Sequence, residues 1–259
     1  MTSLYEEGRT YYGNYIVDFR SNCEKSIVLL ISHRKGDAAK KIIALETGII
    51  FASGRTSCCI MMSHHNNRDD EECQVQFYDG TRKMVTSKIT ELKHFGMDLI
   101  LLYGVDDPKP VKFSTRKLDS CDRIFTCGYN SNQKGRCFFS GSIVSGVGLQ
   151  DKTIGEKVTL FGHGCSTGAR GHHGSAVFDE SQKLVGMNVL YTRSKGENYV
   201  TPKTGGRVDN TDFGGIVSAL DLPSINLALA TLLGMEGKSD ADIVEHVTTF
   251  LISHEADLS

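Results

Sequence analysis

From about residue 24 to residue 204 the chain is a succession of short β-forming runs separated by turns. Ser26–Ile31, Thr47–Phe51, Cys58–Met62, Gln74–Tyr78, Met84–Ile89 and Asp98–Tyr103 make a first series. Arg123–Cys127, Cys137–Ser145, Lys157–Phe161, Ser175–Phe178, Leu184–Tyr191 and Asn198–Thr201 make a second. Runs this short, rich in β-branched and aromatic residues and spaced this evenly, specify a sandwich or barrel rather than βαβ units. Asp79-Gly80 lies between two runs and predicts a type I′ hairpin turn, because Asp-Gly tolerates positive φ; Asp179–Gln182 predicts a four-residue hairpin loop. The prolines of Asp106-Asp-Pro-Lys-Pro110 cannot sit in a central strand, so the division falls there. The expected architecture is all-β, in two six-strand units at about 24–112 and 118–204 that together make one unit over 24–204.

After Gly205 the pattern changes. A polar loop leads into two helical stretches, Ser224–Leu233 and Ser239–Leu251, so 205–259 is expected to be a loop and a helical C-terminal tail. Ser239-Asp-Ala-Asp242 resembles a capping box with Asp in place of Glu, and Ile243, Val247 and Phe250 follow on one face.

A net charge of −2 and a pI near 6.5 argue against a nucleic-acid or anionic-membrane partner. The first residues lack a basic stretch followed by an apolar one, so no secretory signal is expected. The eight cysteines form no Cys-x-x-Cys pair. Without a signal they read as buried free thiols of an intracellular protein, cytoplasmic or nuclear.

Gly171-His172-His173-Gly174-Ser175-Ala176-Val177 is similar to the nucleophile loop of trypsin-like serine proteases, with His173 where the serine belongs. Further segments resemble the same superfamily in the same order. Ser26-Ile-Val-Leu-Leu-Ile-Ser resembles its first barrel strand, and Glu46-Thr47-Gly48-Ile49-Ile50 the next, although Glu46 replaces a glycine. Cys59-Ile-Met-Met-Ser-His-His65 resembles the strand end that carries the catalytic base. Met97-Asp98-Leu-Ile-Leu-Leu resembles the segment of the orienting carboxylate, and Ser140-Gly-Ser-Ile-Val-Ser a strand of the second barrel. The set is closest to the HtrA/Deg branch and its divergent plant relatives, and with the twelve strand-like runs the resemblance implies two antiparallel six-stranded barrels, chymotrypsin/trypsin-like, at about 24–112 and 118–204.

The resemblance implies triad positions at His65 (or adjacent His64, one residue out of register), Asp98 and His173, with oxyanion donors from the backbone N–H of Gly171 and His173. An imidazole at 173 has no hydroxyl to activate, so the implied protein is a non-catalytic protease homologue that binds a peptide or protein in the old groove. Two readings stand beside it: an active serine endopeptidase with a misaligned or displaced triad, Ser175 being the displaced candidate, and an unrelated β-rich binding module. His163, Cys165, His172 and His173 match no standard zinc spacing, so no metal and no cofactor is expected.

Overall fold

The computed structural model describes residues 18–64, 71–89, 91–130, 135–150, 158–165, 173–192 and 216–258. The fold is all-β in two lobes, an open seven-stranded sheet and a closed six-stranded barrel, with helices around them. The first lobe is a seven-stranded sheet built from β1 (Ile27–Arg34), β2 (Ile42–Ser53), β3 (Ser57–Ser63), β4 (Glu71–Gln76), β5 (Arg82–Met84), β6 (Ser87–Ile89) and β7 (Met97–Tyr103). Its order is β5-β4-β1-β2-β3-β7-β6. The second lobe is a closed barrel of β8 (Arg123–Asn130), β9 (Gly135–Gln150), β10 (Thr159–His163), β11 (Ala176–Phe178), β12 (Leu184–Thr192) and β13 (Ile216–Asp221).

Three expectations change. The single run Met84–Ile89 is split into β5 and β6, which pair with different neighbours, β4 and β7. That split gives the first lobe seven strands, and among the described residues no ladder joins its two three-residue edges. The second barrel is closed by β13, which lies beyond the expected end at 204, within the stretch read as loop and tail; Asn198–Thr201 lies outside the described residues. The 77–81 hairpin is not type I′. Phe77 N donates to Thr81 O at 2.8 Å and Gly80 N to Phe77 O at 3.1 Å. Only Gly80 of the Asp-Gly pair has positive φ, at 89°, as in a three-residue loop that ends in a glycine bulge.

Burial explains the uniform hydrophobicity of β3, in which every residue is buried. Cys58, Ile60 and Met62 face a cluster inside the first lobe with Val28, Leu30, Val75 and Ile100. Cys59 and Met61 face the opposite way, into a larger cluster shared by both lobes and the helices. A strand covered on both faces has no polar alternation to keep. The 18–23 helix (α1) contributes Phe19 to the shared cluster, where its ring meets Phe125, Phe138 and Phe178 at 5.2–5.8 Å.

Two helices follow β13. In α2 (Leu222–Leu233) Asp221 caps the N-terminus, accepting from Ser224 N, and Gly234 ends the helix at φ 64°. In α3 (Asp240–Leu258) the box closes reciprocally: Asp242 N donates to Ser239 Oγ at 3.3 Å and Ser239 N to Asp242 Oδ2 at 3.0 Å. The buried face of α3 is Ile243, Val247 and Leu251, whereas Phe250 is 40% exposed. The face centres on Val247, and the i, i+4, i+8 positions share it. Near its end, Glu255 accepts from Arg55 N, Thr56 N and Ser57 Oγ, so the last helix is tied to the β2–β3 turn. Among the described residues no helix is long and apolar enough to cross a membrane.

Candidate functional site

Antiparallel pairing of β3 with β7 sets Met62 against Asp98 and Ser63 against Met97. The next backbone contact continues that register, with His64 N donating to Gly96 O at 2.8 Å. Residue 64 is thus the diagonal neighbour of Asp98, and diagonal neighbours share a face of the sheet. The side chains meet: His64 Nδ1 lies 2.9 Å from Asp98 Oδ1. The expected partner, His65, lies outside the described residues, and the strand's alternation gives 64, not 65, the parity of Asp98.

Asp98 is fully buried. On the other side of β7, Lys88 in β6 stands opposite Ile100, which makes it a second diagonal neighbour of Asp98. Its Nζ lies 2.8 Å from Asp98 Oδ2. The contact is an ion pair at short range that lacks hydrogen-bond alignment, since Oδ2 accepts no hydrogen bond. A buried carboxylate held by an imidazole and an ammonium satisfies the requirement that buried charge be paired.

The turn with His173, from the second lobe, packs on the first lobe next to this pair's strand. Thr47 N donates to His173 O at 2.8 Å, Gly174 N to Asn188 O at 2.8 Å, and Asn188 N to Ser175 O at 2.9 Å. Gly174 has φ 76°, and a Cβ there would stand 2.0 Å from Thr47 O and 3.3 Å from Ser63 N. The turn therefore lies against the middle of β2 and the end of β3, beside the residue that precedes His64. Thr47 also receives Tyr129 N on its hydroxyl at 2.9 Å, joining the turn to β8. Gly171 and His172 lie outside the described residues. Ser175 is fully buried, its Oγ without a hydrogen-bond partner and packed where a Cβ at Gly128 would stand 1.9 Å away.

His163 and Cys165 are committed elsewhere. His163 Nε2 is 2.8 Å from Asn188 Oδ1 and Nδ1 accepts from Cys165 N at 3.2 Å, so the ring donates through Nε2. Burial pushes the Cys165 thiol up to about 12, and the thiol donates to Ile124 O at 3.6 Å. Among the described residues no cluster of three or more metal-ligating side chains occurs. The eight cysteines are unpaired, and six of them are buried.

Burial of the His163 ring holds its titration down at about 4, against 6.5 for a free imidazole. The unfolded chain therefore takes up a proton between pH 6.5 and 4 that the folded chain does not. Stability from this group is complete above pH 6.5 and declines as pH falls to 4, by about 3 kcal/mol. Urea midpoints measured from pH 7 to pH 4 should show this slope in wild type and lose most of it in His163→Gln. An unchanged slope would place the pH sensitivity elsewhere.

Sequence reading missed Lys88 and Thr47. Thr47 sits inside a motif noticed for its apolar residues. Lys88 acquires meaning only through the β6–β7 register.

Two β-lobes, a His–Asp pair on the first and a tight turn of the second packed beside the strand that leads to that histidine, define a trypsin-like scaffold. A family model described as the trypsin-like peptidase domain matches residues 46–187, more than half of the chain, and the chain belongs to that family. No curated protein matches the sequence. Similar solved structures include the HtrA-type protease AlgW with tripeptide, at TM-score 0.61 and 14% identity, covering 90% of this chain and 64% of that one. A serine endoprotease from Yersinia pestis matches at TM-score 0.59 and 16% identity, over 85% of this chain and 66% of that one. The Rv3671c protease of M. tuberculosis, in an inactive form, matches at TM-score 0.57 and 13% identity, over 83% and 92%. The chain thus spans just under two thirds of the AlgW and Yersinia pestis chains. At these identities the likeness is one of fold.

Proposed function

We propose that this chain is a catalytically silent trypsin-like protease homologue that holds an extended peptide or protein segment in the cleft between its lobes. One observation carries the reading: the turn packed beside Ser63, the residue before His64, carries His173, while its serine, Ser175, is sealed inside the fold. Acyl transfer needs a hydroxyl within reach of the imidazole. On this reading His64 and Asp98 keep the base and orienting positions, His173 stands at the nucleophile position, and the N–H groups of Gly171 and His173 line the oxyanion pocket. The AlgW structures, solved with a tripeptide, support a peptide as the ligand class. The second barrel is then taken to run from about 118 through Ile216–Asp221. The unpaired thiols support a reducing, intracellular setting.

Wild type should give no fluorophosphonate label and no cleavage of casein or a peptide library, while the library still binds. His173→Ser alone should recover little, because His172 stands where the family loop has Asp or Asn, Ala176 is the less common alternative to proline there, and catalysis tolerates only about 0.5 Å of misplacement. Cleavage by wild type that is lost in Ser175→Ala but survives in His173→Ala would sink the reading and establish Ser175 as a displaced nucleophile.

A further inference from the structure

We propose that Lys88 is a second determinant of silence: its ammonium takes the Asp98 oxygen that His64 leaves, and so withdraws from the imidazole the negative charge on which a general base depends. The inference rests on the reading of His64 and Asp98 as base and orienting carboxylate. In that chemistry the carboxylate does two things. It fixes the imidazole tautomer, and it stabilises the imidazolium formed when the hydroxyl proton arrives.

The geometry here keeps the first and removes the second. Asp98 Oδ1 still meets His64 Nδ1 at 2.9 Å, so the ring remains oriented. Oδ2 has Lys88 Nζ at 2.8 Å, and the carboxylate has no exposed surface, so water does little to weaken the pair. His64 therefore faces a neutral ion pair instead of a bare anion. The surrounding groups do not restore the charge to the ring. From β4, Cys73 carries a thiol pushed up to about 11 and is uncharged. Glu46, from β2, is buried and, like Lys88, acts on the Cys73 thiol. His173, on the facing turn, brings no negative charge. Lys88 is thus a positioning residue that preserves the site's shape while cancelling its base character.

The experiment is an imidazole ¹H–¹⁵N NMR titration of the full chain in wild type, Lys88→Arg, Lys88→Met and the double variant Lys88→Met/Asp98→Asn. The His64 signal is assigned by its absence in His64→Gln. Lys88→Met should raise the His64 midpoint by at least about one pH unit, a tenfold gain in proton affinity. Lys88→Arg should leave it at the wild-type value, since the charge is kept. The double variant should also match wild type, because in both the ring faces no net charge. If Lys88→Met fails to fold, the comparison of wild type with the double variant decides alone. A wild-type midpoint one pH unit or more above the double variant, or a Lys88→Met midpoint equal to wild type, overturns the inference. The titration needs no reactive group at position 173, so its failure is separable from that of the silent-protease reading, which is tested by cleavage.

Discussion

Asp98→Ala should lower the unfolding free energy by about 3–5 kcal/mol, the cost of leaving one member of a buried pair without its partner. The carboxylate has no exposed surface, and the Lys88 side chain that it would abandon is only 16% exposed. That ammonium cannot turn to bulk water without reopening the β6–β7 edge. His64 would lose its Nδ1 partner as well. Asp98→Asn should cost less, because the amide keeps the volume and can still bond the imidazole. Urea unfolding of the three proteins at pH 7 checks both values. A loss below about 1 kcal/mol, the range of exposed pairs, would mean that the charges are solvated and not held as described.

Gly174→Ala should cost about 2–4 kcal/mol, combining left-handed backbone strain of about 1–2 kcal/mol with weakened turn hydrogen bonds of about 1 kcal/mol each. The obstacle is the carbonyl of Thr47, 2.0 Å from the added carbon, and a backbone atom cannot rotate aside as a side chain can. Relief requires the turn to retreat from β2, which stretches the bonds from Thr47 N to His173 O and from Gly174 N to Asn188 O. Gly36→Ala is the internal control, with φ 72° and nothing within 4 Å of the added carbon; it should show the backbone strain alone. Equal losses in the two variants would show that the turn is not wedged against the first lobe.

How much of this was legible in the sequence depended on whether a signal was local. Hairpins and single strands carry their own turn residues and periodicity, so the β-rich layout and the capping box of Ser239 and Asp242 could be read directly. Register is not local. Whether position 64 or 65 faces Asp98 depends on parity across the β3–β7 ladder, and a slip of one residue exchanges the two faces. Lys88 was invisible for the same reason. It looks like any solvated lysine until β6 is laid against β7. The strand Ile216–Asp221 escaped because its six residues follow a polar stretch and run straight into the α2 cap, so the break in composition was taken for the end of the barrel. On α3, spacing alone made Phe250 and Leu251 competitors for the buried face, and packing on the first lobe chose Leu251.

The contact of Glu255 with Arg55, Thr56 and Ser57 joins positions 198 to 200 residues apart. Ile243, Val247 and Leu251 enter the same cluster as Phe51 and Met61. A lobe that is contiguous in sequence is therefore not self-sufficient during synthesis. When β1–β7 leave the ribosome, one flank of their sheet still lacks its cover, and the cover is made last, after the entire second barrel. At roughly 5–20 residues per second, that interval lasts on the order of ten seconds or more, during which apolar surface on β2 and β3 must be shielded by chaperones or by transient contacts. The helix that completes the lobe also sets when its assembly can finish.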